Sequence, residues 1–559
     1  MAWRWPRESP KLGLSRGVEN HRVAEFDYII IGAGSAGCVL ADNLSRSGRD
    51  RILVLEAGGS DHRFWIRTPL GYGYTFADPH LNWNYQTEPD PGIGGRRAFW
   101  PRGRVIGGSS SINALVYFRG LPGDFDDWAA SGARGWDWKA VRACFERIEC
   151  KVDEAGLASG EGPMYVTQVD SQLHPTCRYF FQAATQAGLP ATGDMNGASP
   201  EGVGHYRLTT HHGRRWSAAD AFLRPALRRK HLELRTGARV SRILFDGCSA
   251  EGVEYLHGSQ LRQTRARRSV ILCAGAVNSP HILQLSGVGP ANLLNRFGIP
   301  VVLDQPTVGS QLQDHLAITY SYRATQPTLN DELRGGWRRI RAGLQYLLWH
   351  RGLLSLSVNH AGGLVRAEPG AERADFQLYF NPMSYAAGDA QRSRIEPDGF
   401  PGFMLSHQPS RPTSRGRIEM ASPDFRAPPA IFPNYLSTEK DREDVLRGGM
   451  LLKRLEQTEA MRTLIAEPCK PRLADMDAAR MLEDFRARAG TVYHPVGTCR
   501  MGADAGHSVV DLSLKVHGLQ GLRVVDASVF PSITSANTNA PTMMVAQKAS
   551  EMILAEQTR

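Results

Sequence analysis

The chain has 559 residues, 42% hydrophobic and 22% charged, an ordinary globular balance with length for two or more domains, no low-complexity tract and no run near the roughly 20 apolar residues of a membrane span. The formal net charge of +10 gathers in Arg-rich patches at 224–235, 262–268 and 334–341, and no nucleic-acid recognition motif accompanies it. A solvated basic surface is the preferred reading, with attraction to anionic lipid or an acidic partner as the alternative. The eight cysteines show no CxxC and no metal-ligand spacing, so no metal site is expected and a reduced, cytoplasmic compartment is, with peripheral contact at the inner membrane as the variant the basic patches raise.

Residues 1–25 are polar and lack the apolar core of a secretory signal; a disordered extension is expected there. Residues 27–37 read DYIIIGAGSAG: an apolar strand, Tyr28 to Ile31, runs straight into Gly32, Gly34 and Gly37. Gly32 permits a tight turn, and Gly34 lets the backbone approach a pyrophosphate. Gly37 lets the next helix, entered through Ser35 and Ala36, pack on the sheet with its N-terminus toward phosphate. A second apolar strand in 52–58, ILVLEAG, ends in Glu56 and Ala57. Glu56 stands where a carboxylate accepts the hydroxyls of an adenosine ribose. No nearby arginine replaces it, which argues against a 2′-phosphate and leaves NAD and FAD open.

Further along, 60–100 reads as irregular, 137–150 as helix, and 232–245 and 252–256 as strands. Residues 269–289 (SVILCAGAVNSPHILQLSGVG) read as a buried strand, a turn at Gly275 and a helix. Residues 331–351 predict a basic amphipathic helix with Ile340, Leu344, Leu347 and Leu348 on one face, read as packed on the protein body rather than on a membrane. Strands are expected at 375–381 and 402–408 and helices at 438–461 and 473–488. At the end come a strand over 522–530 and a helix from Thr542 onward.

Several segments carry a family resemblance. PRGRVIGGSSSINALVYFRG (101–120), GAVNSPHILQLSGVG (275–289), VGSQLQDH (308–315), HPVGTCRMG (494–502) and VVDASVFP followed by NAPTMMVA (524–546) resemble, in order, motifs of the glucose–methanol–choline (GMC) oxidoreductases, which are FAD enzymes. Within that family the likeness is to choline-dehydrogenase-like bacterial alcohol dehydrogenases. The resemblance implies an α/β chain, α+β overall. A Rossmann-like FAD-binding domain would be built from 26–315 and 490–559, and 316–489 would form a substrate domain with an antiparallel sheet flanked by helices. It implies FAD contacts at Arg104, Val105, Gly107, Gly108, Ser109, Asn113, Ala114 and Val116, at Val240, Ala274 and Gly275, and at Asp526, Ala527, Asn539, Pro541 and Thr542. Where some members attach FAD through a histidine this chain has Ile112, so the FAD is expected to be non-covalent.

The implied reaction takes a primary alcohol to an aldehyde, passes a hydride to flavin N5, and hands electrons to O₂ or a quinone-like acceptor. His494 matches the family's active-site histidine and is expected as the base, titrating near neutrality. Asn539 is expected beside it, donating to the substrate oxygen. Tyr493 and Phe380 are expected to line an apolar pocket, and His360 and His407 to be structural. Choline-oxidising relatives carry a glutamate near Asn359–Gly363 or elsewhere in the cavity. This chain has Ala361 and Gly362 there, which points to an uncharged aliphatic or benzylic alcohol. A non-redox, lyase-type activity on the same fold and a non-catalytic flavoprotein at a membrane surface are the competing readings.

Overall fold

The structure, a computed structural model, describes residues 24–385 and 396–557. The expected N-terminal extension lies outside the described residues save its last two, and Glu25 already belongs to the first strand.

The N-terminal half alternates as its apolar runs dictate. Strand β1 (Glu25–Ile31) is followed by α1 (Ser35–Ser45), β2 (Ile52–Leu55), α2 (Trp138–Ile148), β3 (Leu232–Arg235), β4 (Ala238–Asp246), β5 (Ser249–His257), β6 (Gln260–Leu272) and α3 (Gly275–Leu285). The middle contributes β7 (Leu316–Ala324), α4 (Gly336–Trp349), β8 (Ala361–Val365), β9 (Phe376–Asn381), β10 (Gly402–Pro409), α5 (Glu439–Glu456), β11 (Ile465–Pro468), α6 (Ala478–Arg488) and β12 (Gly490–Thr491). The chain closes with β13 (Leu522–Val524) and α7 (Asn539–Gln557).

Two sheets result. The first has seven strands in the order β3-β2-β1-β6-β5-β4, with β13 also on β6. Its centre is parallel, Ile31 facing Leu55 on one side and Leu272 on the other. Both faces are covered, so the central strands are continuous aliphatic runs: Ile29, Ile30, Val54 and Ile271 are fully buried. The C-terminal helix returns to this layer, where Asn43 of α1 donates to Gln547 Oε1 and Ser550 Oγ of α7, both at 2.8 Å. The second sheet has six strands, β8-β9-β10-β7-β11 with β12 also on β7, and every pairing is antiparallel. Helix α5 lies against β10 so closely that a Cβ on Gly448 would stand 2.2 Å from the His407 ring. The expected class, α/β with a second antiparallel sheet, is the class observed.

Local boundaries differ where side chains intervene. The strand expected over 522–530 stops at Val524, because Asp526 Oδ1 accepts from Ser528 N at 2.8 Å and caps a 3₁₀ turn. The helix expected over 331–351 breaks at Gly335, whose φ of +88° begins α4 afresh. The helix expected over 438–461 is interrupted at Thr458, whose hydroxyl caps a new helix through Met461 N. The last helix begins at Asn539, three residues before the expected start.

Candidate active site

A cavity of about 1620 Å³ runs from the carboxyl ends of β1 and β2 to the face of the second sheet, the crevice where open α/β sheets bind ligands. Helix α1 points into its first part. Gly34 caps that helix without a side chain, and the first turn holds no acid. Among the described residues the amides of Ser35, Ala36 and Gly37 have no acceptor, so the positive end of the helix dipole meets the cavity, which Ser35 and Ala36 line. Glu56 closes the end of β2 and accepts from Ala33 N at 2.9 Å and Gly58 N at 2.7 Å. Burial pushes its carboxyl up to about 7 against those two bonds. Opposite, a Cβ on Gly108 would stand 2.7 Å from Gly34 Cα, so the loop 103–113 lies against the Gly34 turn with its backbone. Gly275 N donates to Asp526 Oδ2 at 2.8 Å, joining α3 to the loop after β13. An amide nest, a buried carboxylate at the end of β2 and glycine-walled surfaces fit an extended dinucleotide.

Of the residues expected to hold it, Gly32, Gly34, Ser35, Ala36, Glu56, Ala57, Gly108, Ser109, Asn113, Ala114, Val116, Val240, Ala274, Gly275, Asp526, Ala527, Asn539 and Thr542 line the cavity. Five do not. Gly37 sits where a Cβ would stand 1.9 Å from Gly32 O, so it serves helix–strand packing. Gly107 donates to Ala33 O at 2.7 Å. Val105 is buried in a small cluster with Ile66, Leu81 and Ile112. Arg104 turns away over the Trp83 ring and donates to Pro79 O. Pro541 is buried within α7.

At the other end stands His494, 7% exposed, in the loop after β12. Its backbone N donates to Asp314 Oδ1 at 2.8 Å, and the same carboxylate accepts from Thr491 Oγ1 and Tyr435 Oη. The preceding Tyr493 has a φ of +70°, a left-handed conformation that a bulky residue adopts only when its surroundings impose it.

The ring of His494 is held in one tautomer. His315 Nε2 lies 2.8 Å from Ser410 O; a carbonyl only accepts, so that nitrogen carries the proton. His315 Nδ1 is therefore an acceptor, and His494 Nδ1, 3.1 Å away, donates to it. His494 Nε2 is left with its lone pair, and Asn537 Nδ2 donates to it at 3.2 Å. Burial pushes His315 down to about 4, which keeps this acceptor neutral. Burial, then His315 and the Arg102 guanidinium, hold His494 well below the usual histidine value. The expectation of titration near neutrality is corrected accordingly: His494 is neutral throughout the physiological range.

Asn539 is not beside His494. As the first residue of α7 its Oδ1 accepts from Ser35 Oγ at 2.6 Å, at the N-terminal end of α1. The amide against the histidine is that of Asn537, two residues earlier. Asn537, His315, Asp314 and Arg102 escaped the sequence reading. His315 closes the VGSQLQDH segment already singled out, and SANTN offers two asparagines that only the loop geometry distinguishes.

Part of the remaining wall is aromatic and apolar, formed by Tyr72, Phe76, Val358, Tyr379, Tyr385, Met404 and Tyr493 with the Phe76 and Tyr493 rings 5.1 Å apart, and Thr319, Ser321, Ser406, Lys470 and Arg488 line it as well. Phe380 is not part of it. Strand alternation turns Phe380 to the other face of β9, where it stacks on Phe180 at 5.3 Å, while Tyr379 and Asn381 face the cavity. His360 and His407 are each 1% exposed and do not line it, whereas Asn359 does. On the second-sheet side Asp398 is the acid that lines the wall among the described residues, and its carboxylate accepts from Ser384 Oγ at 2.7 Å.

Two family profiles described as GMC oxidoreductase match this chain, over residues 26–317 and 412–546. The chain belongs to the GMC oxidoreductase family. It is an oxidoreductase acting on CH–OH donors. It is 39% identical to mitochondrial choline dehydrogenase of Mus musculus over 549 residues, covering 96% of this chain and 91% of that one. It is 40% identical to the alcohol dehydrogenase [acceptor] of Pseudomonas putida over 534 residues, covering 95% and 96%. Among solved structures, pyridoxine 4-oxidase from Mesorbium loti superposes with a TM-score of 0.84 at 29% identity, covering 95% of this chain and 99% of that one.

Proposed function

We propose that this GMC oxidoreductase oxidises an uncharged primary alcohol, aliphatic or benzylic, to the aldehyde, with FAD held along the groove from Glu56 to Asn537. The observation that carries this reading is the unprotonated Nε2 of His494, an acceptor set by the His315–Ser410 chain, met by Asn537 Nδ2 and opening on a cavity with an aromatic wall. Bound FAD supplies the hydride acceptor. The protein handles the proton. The substrate hydroxyl takes the place of Asn537 as donor to Nε2, and His494 receives its proton while Nδ1–H stays on His315. The Asn537 amide is then free to donate to the developing alkoxide, and the Arg102 charge favours that anion. Arg102, pushed down to about 10 by burial, remains a cation at neutral pH.

The glycine and amide contacts of 26–315 and 490–559 form the cofactor-binding unit, and 316–489 supplies Val358, Tyr379, Tyr385 and Met404 of the substrate wall, which Tyr72, Phe76 and Tyr493 complete from the cofactor-binding unit. FAD is held without a covalent bond, because the carbon side chain of Ile112, which lines the cavity, offers no nucleophile. Acid precipitation then leaves the flavin in the supernatant; flavin in the pellet overturns this point. Electrons pass on to O₂ or a quinone-like acceptor, distinguished by assays supplied with each. The test of the activity is anaerobic addition of an alcohol panel to the holoenzyme. Bleaching of the flavin by uncharged primary alcohols is the expected result, and a flavin that no alcohol reduces ends the proposal.

A further inference from the structure

The expectation that the basic amphipathic helix packs its apolar face on the body is wrong, and the error is informative. Trp337, Ile340, Leu344, Leu347, Leu348 and Trp349 of α4 are 76%, 54%, 50%, 58%, 64% and 64% exposed. At about 100° per residue, Trp337, Ile340, Leu344, Leu347 and Leu348 share an arc of about 100°, and Tyr346 falls on the opposite side. Tyr346 is the buried residue of α4. It anchors the helix by donating to Arg67 O at 3.2 Å and meeting the Phe64 ring edge-on. The helix is thus fastened by its back, with its apolar stripe turned outward. Phe64 and Trp65, on the short helix beneath it, are 47% and 39% exposed.

We propose that this face docks the enzyme in the plane of an anionic lipid bilayer. Charge selects the occupant. Across 329–351 there are five arginines, at 334, 338, 339, 341 and 351, against Asp331 and Glu332, and the five are exposed. Arg341 borders the aliphatic stripe, so lipid tails and anionic headgroups are met together. Trp337 stands within the stripe at the start of the helix, suiting the headgroup level beside the aliphatic centre. A second copy fits less well, since a two-fold contact through this face would bring the arginine border against itself. The short helix beneath α4 leads within a few residues to Tyr72 and Phe76 of the cavity wall, so the docked face adjoins the route by which a lipophilic reactant would enter.

The test is flotation of the full-length holoenzyme with phosphatidylcholine vesicles and with vesicles containing phosphatidylglycerol, at low and high salt. Binding at least tenfold stronger to the anionic vesicles, weakened by salt, is expected. The triple variant Ile340→Asp/Leu344→Asp/Leu348→Asp should lose it, and Arg338→Gln/Arg339→Gln/Arg341→Gln should lose the anionic preference. Both should retain thermal stability and turnover with a soluble dye. No vesicle binding by the parent protein, or undiminished binding by both variants, overturns the proposal. So does a parent dimer that the triple variant converts to monomer, which would assign the face to a second copy. Flotation needs no turnover, so it stands or falls apart from the alcohol assay.

Discussion

His315 Nδ1 lies 3.1 Å from His494 Nδ1, with the far side of His315 closed by the Ser410 carbonyl. This pair decides which nitrogen of His494 faces the cavity. Replacing His315 by Leu removes the acceptor, leaves a buried N–H unpaired at roughly 1–3 kcal/mol, and frees His494 to turn or change tautomer. The expected result is a fall of about 10- to 100-fold in the rate of flavin reduction, read by anaerobic stopped flow, with FAD content unchanged. His315→Gln can accept from His494 and donate to Ser410, and should recover most of the rate. Equal losses in both variants would reduce His315 to a packing residue.

The two asparagines of the SANTN segment should separate in their effects. Asn537 contacts His494 Nε2 and Asn539 contacts Ser35 at the start of α1. Asn537→Ala should slow flavin reduction by about 100- to 1000-fold, the loss expected on removing one donor to a developing oxyanion, and leave FAD bound. Asn539→Ala should weaken FAD retention on dilution while sparing the reduction rate of enzyme saturated with FAD. The reverse pattern would restore Asn539 beside the base.

What the sequence made legible was the set of features that act through local backbone. The Gly32–Gly37 turn and Glu56 need only a strand, a tight turn and a second strand, and all are where the spacing put them. The contacts of His494 were hidden because they span the fold: His315 lies 179 residues away in the chain and Asn537 43. Phe380 was misplaced because β9 is buried on both faces, so no polar alternation marks which side meets the cavity. The apolar stripe of α4 was legible as a stripe, but periodicity does not say whether protein or solvent covers it.

The locked neutral state of His494 predicts a pH profile without a histidine step. Because its imidazole is held well below the usual value, the rate of flavin reduction should stay level from about pH 8 to pH 6, where an unperturbed histidine of pKa about 6.5 would begin to protonate and switch off. Stability should nonetheless fall in acid. Burial pushes His174, His281 and His315 down to about 4 and His360 and His407 down to about 3. The unfolded chain protonates these groups from about pH 6.5 downward and the native state does not, so native stability is lost as pH falls through that window, by about 1.4 kcal/mol per pH unit for each histidine. Glu56, raised to about 7, acts in the opposite sense, as do the Asp124, Asp314 and Asp526 carboxyls that burial also pushes up, while His494, held well below the usual value, adds a sixth histidine to the destabilising side. A steady drop in melting temperature between pH 6.5 and 4.5 is the expected outcome; a level stability curve would contradict the burial of these rings.

Gly37 offers a test of the cofactor turn that involves no ligand contact. Its added Cβ would meet Gly32 O at 1.9 Å and the Ile30 side chain at 3.4 Å. The nearer atom is backbone in a turn already held by Gly32 at φ +103°, so the strain has no flexible side chain to absorb it. Gly37→Ala should therefore cost about 1–3 kcal/mol or more as an overpacking change and displace α1 from β1, with loss of bound flavin on purification. Gly343, inside α4 with nothing within 4 Å of its added Cβ, is the matched control: Gly343→Ala should gain roughly 0.5–1 kcal/mol by restricting the unfolded chain and favouring helix. Melting curves and flavin-to-protein absorbance ratios read both effects. Full flavin content and parent stability in Gly37→Ala would show that α1 does not rest on the Gly32 carbonyl.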